Sequence, residues 1–265
     1  MKKAALGILV GVLSLSLVGC SSKDESSQLE EIKQKGKLII GTSADYPPYE
    51  FHKKIDGKDT IVGFEMEMAK EIAKEIGVDL EIKDMKFDGL LPALKSQNID
   101  MIVAGMNPTE ERKKSVNFTD VYYNGENVVL VKKDDLEKYK TVESLKNLRI
   151  GVQKASTQEG FAKDVIEATN IKALSKIPDV VLELKNSNID AVVVSKYAVT
   201  GYLKEYPDIV YSNIDLGESK DDKSAIATKK SDDYSLVKKT NEILDSLKKG
   251  NKIQKLVEEA TNLSQ

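Results

Sequence analysis

Two seven-residue stretches, one in each half of the chain, repeat nearly the same residues and constrain the fold more than any other feature. Leu94–Asp100 has the sequence LKSQNID and Leu184–Asp190 has LKNSNID, and each leads into an apolar run, MIV or AVV. Upstream, LIIGT from Leu38 is echoed by LRIGV from Leu148. The copies are too far apart for a solenoid. They indicate two similar lobes facing each other across a cleft, unless the similarity is chance within common strand–helix patterns.

Strand-like and helix-like segments alternate along the chain, which predicts an α/β fold with mostly parallel strands. The predicted strands are Leu38–Gly41, Val78–Ile82, Asp100–Ala104, Leu145–Val152, Ala191–Val194 and Ala225–Thr228. The predicted helices are Gly63–Ile76, Asp88–Lys95, Asp233–Lys249 and Lys252–Ala260. Ligands of such sheets bind beyond the carboxyl ends of the strands and between domains. The cleft is therefore where we expect a ligand.

The N-terminus has the features of a secretion signal. Lys2 and Lys3 precede an apolar segment, Ala4–Val18, that is too short to span a bilayer comfortably. This segment ends in LVGC, which resembles the lipobox of bacterial lipoproteins, with Cys20 as the residue that receives diacylglyceryl and palmitate chains. Cys20 is also the only cysteine, so no intramolecular disulfide can form. We predict a signal peptide at 1–19 and a lipid-anchored flexible tether at 20–36; the alternative is an ordinary signal peptide with an incidental cysteine.

Composition argues against several classes of function. The formal net charge is −3 and the charges are spread along the chain, so nothing indicates nucleic-acid binding. The only histidine, His52, lies in a lysine-rich, hairpin-like stretch, Phe51–Lys58, and we expect it at the surface. We find no ligand set for a metal and expect no cofactor. No second apolar run is long enough for a transmembrane helix.

One of only two arginines, Arg112, lies where a helix is predicted to begin. Thr109 is a good N-cap, and a capping box would place Glu or Gln at position 112. A guanidinium near the positive end of a helix is unfavourable unless an anion compensates, and arginine binds carboxylates through two parallel hydrogen bonds. We therefore predict a carboxylate-binding site. The alternative is a solvated arginine in the charged run Glu110–Lys114.

Three motifs resemble family 3 of the solute-binding proteins, the amino-acid-binding proteins of ABC importers, in their Gram-positive lipoprotein form. They are GFEMEM from Gly63, GTSADYPPY from Gly41, and TEER with VNFTD between Thr109 and Asp120. The resemblance covers nearly everything after the tether. It implies a type II periplasmic-binding-protein-like fold, with the ligand cleft between two lobes joined by two hinge strands. Lobe 1 is expected at 37–125 plus 225–263 and lobe 2 at 126–224, with hinges near Glu126–Val131 and Ser224–Lys229.

The resemblance also implies roles for individual residues. Arg112 would bind the α-carboxylate of the ligand, while Ser156 and Thr157 would add donors when the lobes close. Tyr46 and Phe87 would sandwich the ligand side chain; without the resemblance, Phe87 suits a core position and Ser156 a plain helix cap. The predicted ligand-binding residues are Ser43, Asp45, Tyr46, Phe87, Ala104, Gly105, Asn107, Arg112, Ser156, Thr157 and Ser195.

The sequence departs from the family pattern at two of these positions. Family members usually carry an acidic residue, which pairs with the ligand α-ammonium, where this chain has Ser195. A serine is a weaker partner for a buried ammonium, so either another acid such as Asp45 replaces it or the ligand is not a plain α-amino acid. Relatives that bind basic amino acids often carry Asp at the position of Ser43, which weakens the expectation of arginine or lysine. Gln153 and Lys154 are further candidates for the side-chain end of the cleft.

The predicted function is that of a substrate-binding protein, not an enzyme. It would capture a polar amino acid or an amino-acid-like solute, such as cystine, by lobe closure and deliver it to ABC permease transmembrane subunits. We expect a monomer anchored to the outer face of the cell membrane. The alternatives are an extracytoplasmic enzyme of the same fold, such as a dehydratase, and a ligand-binding sensor or adhesin module.

Overall fold

The computed structural model describes residues 27–217 and 221–264. The strands are β1 (Lys37–Thr42), β2 (Asp45–Tyr46), β3 (Glu50–Ile55), β4 (Lys58–Val62), β5 (Asp79–Asp84), β6 (Met101–Ile102), β7 (Val116–Phe118), β8 (Tyr123–Lys132), β9 (Arg149–Gln153), β10 (Asn170–Leu174), β11 (Ala191–Ser195), β12 (Ile209–Tyr211), β13 (Asp221–Ser224) and β14 (Ala227–Lys229). The helices are α1 (Gln28–Lys35), α2 (Phe64–Ile76), α3 (Phe87–Lys95), α4 (Glu110–Lys113), α5 (Thr157–Asp164), α6 (Ile177–Lys185), α7 (Thr200–Glu205), α8 (Ser235–Lys249) and α9 (Lys252–Leu263). Short 3₁₀ helices occur at Lys133–Asp135, Val142–Leu145 and Tyr197–Val199.

The strands form two main sheets, and we call each sheet with its helices a lobe. Lobe 1 has the strand order β5-β1-β6-β14-β7, and lobe 2 has the order β10-β9-β11-β8-β12. The pairs β1–β5, β1–β6, β9–β10 and β9–β11 are parallel. A small antiparallel sheet, β2-β3-β4, is formed between Asp45 and Val62. The α/β fold in two lobes is as predicted.

Helix α2 shows why the apolar spacing in lobe 1 gives a helix. Its apolar residues recur every three or four positions and all face the core, where they pack with residues of α8 and α9. Gly77 ends the helix in the left-handed conformation, with φ 86°, and its N–H bonds to the carbonyl of Ala73. The predicted helix over 63–76 is confirmed, with Gly63 as its N-cap.

The repeated sequence pattern is one structural unit that occurs once in each lobe. After α3 and after α6 the chain turns with a positive φ, 60° at Gln97 and 59° at Ser187. The aspartate that follows accepts a backbone N–H from the neighbouring strand, at 2.7 Å for Asp100 with β1 and 2.9 Å for Asp190 with β9. Each aspartate therefore locks a helix–strand turn to the adjacent strand in the same way. The lobe similarity inferred from the sequence is a structural one.

Two antiparallel strands connect the lobes. β13 pairs with the start of β8, where Asp222 lies opposite Gly125, and β8 then continues into the sheet of lobe 2. The crossing is at residues 123–126 and 221–224, slightly ahead of the predicted hinge strands. The segments Glu126–Val131 and Ser224–Lys229 belong mostly to the two sheets instead, because their apolar residues pair with β11, β6 and β7. The lobe limits 37–125 plus 225–263 and 126–224 stay a prediction.

The second half of the predicted tether is a helix rather than a flexible segment. Ser27 caps α1 by accepting the N–H of Glu30, and Ile32 is buried against the core of lobe 1. The serine-rich and charged composition concealed this helix, because its apolar contacts are few. The predicted signal peptide 1–19 and Cys20 lie outside the described residues.

The predicted strands differ from the observed ones mainly in length. The predicted strand Asp100–Ala104 is only β6, two residues long, because the chain bends into a loop after Ile102. The predicted strand Leu145–Val152 divides into a 3₁₀ helix and β9. In residues 27–217 and 221–264, no helix combines the length and apolar character that crossing a membrane requires.

Candidate functional site

A narrow cavity lies between the two lobes at the carboxyl ends of β1, β6, β9 and β11. Its volume is about 20 Å³, which is room for about one water molecule. Side chains from both lobes therefore nearly fill it, and binding a solute requires them to separate. The lining residues are Ser43, Asp45, Tyr46, Glu50, Phe87, Ala104, Gly105, Asn107, Gln153, Ser156, Gln158, Ile177, Val193, Val194, Ser195 and Asp222.

Arg112 lies at the border of this cavity, and no Asp or Glu side chain of residues 27–217 and 221–264 forms a close ion pair with it. Thr109 caps α4, as predicted, by accepting the N–H of Arg112 at 3.2 Å. The guanidinium, only 8% exposed, donates to the carbonyl of Asn107 at 3.0 Å and, across the cleft, to the carbonyl of Ala155 at 2.8 Å. It also lies 5.7 Å from the ring centre of Phe87. Burial lowers the pKa of Arg112 to about 10, although the negative charges of Glu111 and Asp222 oppose the shift.

The loop that follows β6 is held in place by a buried glutamate of α2. Both carboxylate oxygens of Glu65 accept the N–H of Gly105, at 3.0 and 3.1 Å, and one also accepts the hydroxyl of Tyr122. Gly105 has φ 56°, and a methyl group there would lie 2.8 Å from Tyr46 Cε1. The site therefore requires glycine at 105, both for its conformation and for the close approach of Tyr46.

A second buried glutamate, Glu50, lines the cavity next to Glu65. Burial, reinforced by the negative charge of Glu65, raises the pKa of Glu50 well above its usual range. Burial also raises the pKa of Glu65, in spite of its hydrogen bonds from Tyr122 and Gly105. Neither carboxyl oxygen of Glu50 has a hydrogen-bond partner within residues 27–217 and 221–264, so its burial favours the neutral, protonated carboxyl.

Asp45 connects the lobes on another side of the cavity. Its carboxylate accepts the N–H of Ile177, at the start of α6, at 3.0 Å and the hydroxyl of Ser43 at 3.1 Å. Burial raises the pKa of Asp45 to about 6, although these two hydrogen bonds oppose the shift. Together with the bond from Arg112 to Ala155 and a 3.2 Å bond from Thr157 to Asn107, this contact joins the two lobes.

The raised pKa of Asp45 predicts a pH-dependent difference between the wild-type protein and Asp45→Asn. A carboxyl whose folded pKa lies above its unfolded pKa stabilises the fold at low pH, and this contribution is lost as pH rises through about 6. From pH 4 to pH 8, the free energy of unfolding of the wild type relative to Asp45→Asn should fall by up to about 3 kcal/mol. Urea unfolding of both proteins at several pH values measures this. Parallel pH profiles would contradict it.

Most of the predicted ligand-binding residues come together, and two lie slightly apart. Nine of them line the cavity, whereas Arg112 and Thr157 line the adjoining open groove; Asn107 and Ser156 border both spaces. Ser156 caps α5 by accepting the N–H of Glu159 and donates to the carbonyl of Gln153, so its hydroxyl is already occupied. The side chain thus caps the helix, and the ligand-binding role of Ser156 stays a prediction.

Several lining residues were not predicted as ligand-binding residues. They are Glu50, Gln158, Ile177, Val193, Val194 and Asp222. Glu50 directly follows the motif GTSADYPPY, which ends at Tyr49, and could have been included for that reason. Asp222 lies in the charged run SKDDKS, which looks like an exposed turn, and its burial follows only from the pairing of β13 with β8.

His52 is exposed, as predicted, and lies within hydrogen-bonding distance of Asp59 and Asp84. The described ranges contain no group of three or more His, Cys, Asp or Glu side chains arranged to hold a metal ion.

Comparison with known proteins places this site in a family. The model of the bacterial extracellular solute-binding proteins, family 3, matches residues 38–262. The arginine-binding extracellular protein ArtP of Bacillus subtilis is 36% identical over 97% of this chain and 96% of its own length. The crystal structure of the amino acid ABC transporter substrate-binding protein AbpA from Streptococcus pneumoniae, bound to L-arginine, superposes with a TM-score of 0.84 at 36% identity, covering 89% of this chain and 98% of AbpA.

The fold is also shared with an ancestral protein that is described as the precursor of an enzyme. The ancestral amino-acid-binding protein AncCDT-1, a precursor of cyclohexadienyl dehydratase, superposes with a TM-score of 0.79 at 32% identity, covering 89% of this chain and all of AncCDT-1.

Proposed function

This chain belongs to family 3 of the bacterial extracellular solute-binding proteins, and we propose that it captures a polar α-amino acid between its lobes for delivery to an ABC importer. The observation that carries the proposal is Arg112, a buried guanidinium that donates to two carbonyl groups but forms no close ion pair with a carboxylate in the described part of the chain. Burying an unpaired charge is expensive, and a ligand carboxylate supplies the missing partner.

Lobe closure is the step that captures the solute. The two crossing strands, residues 123–126 and 221–224, are short enough to act as a hinge. When the lobes separate, the hydrogen bonds from Arg112 to Ala155 and from Ile177 to Asp45 break, and both partners become available to solvent and ligand. A ligand that contacts both lobes binds the closed form better and shifts the equilibrium towards it.

The side chain of the ligand is proposed to lie towards Asp45, and L-arginine is the first candidate. Ser43 lacks the carboxylate that relatives binding basic amino acids often carry there, but Asp45 places a carboxylate oxygen 3.1 Å from the Ser43 hydroxyl. The aromatic rings of Tyr46 and Phe87 also line the cavity and can flank a cationic side chain. ArtP and the arginine-bound AbpA support this choice.

We also propose that the protein works as a monomer held to the outer face of the membrane through lipid on Cys20. Two signals are needed for stable anchoring, and a lipidated N-terminal cysteine with several acyl chains provides them. Because α1 packs on lobe 1, the free tether would end near residue 27, which is shorter than the 20–36 first predicted.

An enzymatic role is less well supported than binding. This chain is similar in structure to AncCDT-1, an amino-acid-binding protein that is a precursor of cyclohexadienyl dehydratase. The acids with raised pKa values that line the cavity are Asp45, which accepts hydrogen bonds from Ser43 and Ile177, and Glu50, which lies next to Glu65. A general acid must reach the reacting group, so this arrangement favours binding.

Thermal unfolding of residues 27–265 with a panel of amino acids at ~1 mM tests the proposal. The panel contains L-arginine, L-lysine, L-histidine, L-glutamine and L-cystine. A ligand with a dissociation constant of ~1 μM should stabilise the protein by about 4 kcal/mol, which is easily visible. Protein refolded from urea serves as the sample, so that a ligand retained from the cells is removed. If no panel member and no other α-amino acid raises the unfolding temperature, the proposed function is wrong.

A further inference from the structure

Asp222 lines the cavity, and Arg112 lies at its border. We propose that Asp222 binds the α-ammonium of the amino-acid ligand. The inference rests on the proposed function and deepens it. In this chain the acid would come from the hinge strand β13 instead of from the end of β11, where Ser195 stands.

Asp222 is a buried carboxylate held by neutral donors. It is 1% exposed, and it accepts the side-chain amide of Asn107 at 2.8 Å and the hydroxyl of Tyr46 at 3.2 Å. Over the described ranges, no Lys or Arg side chain forms an ion pair with it. A buried carboxylate ordinarily has a cation or several strong donors, so this one has capacity for a cationic partner.

The position of Asp222 relative to Arg112 matches the geometry of an α-amino acid. Asn107 connects the two groups: its carbonyl accepts a hydrogen bond from Arg112 at 3.0 Å, and its side chain donates to Asp222 at 2.8 Å. An α-amino acid carries its carboxylate and its ammonium on one carbon atom, so its cation and anion sites must be neighbours. Arg112 and Asp222 meet this requirement through a single shared residue.

Two buried hydroxyls without partners converge on the same place. The side-chain oxygens of Ser195 and Tyr49 have no hydrogen-bond partner in the described structure. A methyl group on Gly125 would lie 3.0 Å from the Tyr49 hydroxyl and 3.2 Å from a carboxylate oxygen of Asp222, so these two groups lie on the same side of the hinge strand. Ser195 lines the same cavity as Asp222. An ammonium has three N–H donors and needs a carboxylate together with neutral acceptors. Asp222 with these hydroxyls provides that set.

The rival acid, Asp45, fits the side-chain end of the ligand better. Its two oxygens accept the Ser43 hydroxyl and the N–H of Ile177, and it has no hydrogen-bonding residue in common with Arg112. An ammonium on the same carbon as a carboxylate bound to Arg112 is therefore closer to the Asn107–Asp222 pair.

The test compares wild type and Asp222→Asn by calorimetric titration with the amino-acid panel and with 5-guanidinopentanoate. That compound is arginine without its α-ammonium. Asn keeps the size and one acceptor oxygen but removes the charge. Every amino acid that binds the wild type should bind Asp222→Asn about 30-fold or more weakly. 5-Guanidinopentanoate should bind both proteins equally, which a general structural defect would not produce.

The double variant Ser195→Asp with Asp222→Asn returns a carboxylate to the end of β11 and should regain at least about tenfold of the lost affinity. If Asp222→Asn does not fold, a crystal structure of the wild type with L-arginine decides instead, with the ammonium nitrogen expected about 3 Å from an Asp222 oxygen. Unchanged amino-acid affinity in Asp222→Asn, or an ammonium placed on Asp45, overturns this inference alone. Absence of amino-acid binding by the wild type overturns the proposed function as well.

Discussion

Arg112→Ala should abolish amino-acid binding while leaving the fold nearly as stable as before. Loss of the partner of a bound ligand carboxylate should weaken binding by at least about 1,000-fold, or roughly 4 kcal/mol. The unliganded protein should lose little stability, because burial that lowers the pKa of Arg112 to about 10 already penalises its charge. Calorimetric titration and urea unfolding measure the two effects separately.

The chain offers its own controls for this experiment. Arg149, the other arginine, pairs with Asp190 at 2.6 Å and lines neither the cavity nor the adjoining groove, so Arg149→Ala should leave binding unchanged. Arg112→Lys keeps the charge without the planar donor pair and should bind between the wild type and Arg112→Ala. If Arg112→Ala unfolds the protein, or binds amino acids normally, the residue is structural and the carboxylate site lies elsewhere.

Gly63→Ala should produce the largest loss of stability among single substitutions near the site. Gly63 has φ 133°, and a methyl group there would lie 2.0 Å from the carbonyl oxygen of Tyr49. That carbonyl accepts the N–H of Glu65, so the backbone cannot move away without opening the start of α2. We expect a loss of about 4 kcal/mol and a fall in unfolding temperature of about 10 °C. Amino-acid affinity should fall too, because Glu65 holds Gly105.

Gly77→Ala is the matched control, since Gly77 also has a positive φ, 86°, but nothing lies within 4 Å of the added methyl group. It should cost only about 1 kcal/mol, the strain of the left-handed conformation alone. Equal losses for the two variants would mean that conformation, and not the contact with Tyr49, makes glycine necessary at position 63.

The sequence predicted those parts of the fold that depend on local pattern. The periodicity of α2, the Thr109 cap and the repeated turn before Asp100 and Asp190 are properties of neighbouring residues, and all three appear in the structure. Helix α1 escaped prediction because a single buried residue, Ile32, holds it to a core made by distant segments.

Residues of the site could be predicted where they belong to a recognisable sequence motif. Arg112 and Tyr46 stand in recognisable motifs, Phe87 was implied by the family resemblance, and the structure places all three at the cavity or its border. Asp222 stands in a run of polar residues without local apolar pattern, and only the pairing of β13 with β8 brings it into the cavity. Burial that depends on a distant strand does not change the local residue pattern, so Asp222 could not be identified as a cavity residue from spacing.

Calorimetric titration with the panel amino acid that stabilises the protein most, and with its α-carboxamide, tests the central claim most directly. We expect the free acid to bind at micromolar concentration. The carboxamide lacks the charge recognised by Arg112 and should bind at least about 100-fold more weakly. Equal binding of the two compounds would contradict the claim that this cleft recognises an α-amino acid through its carboxylate.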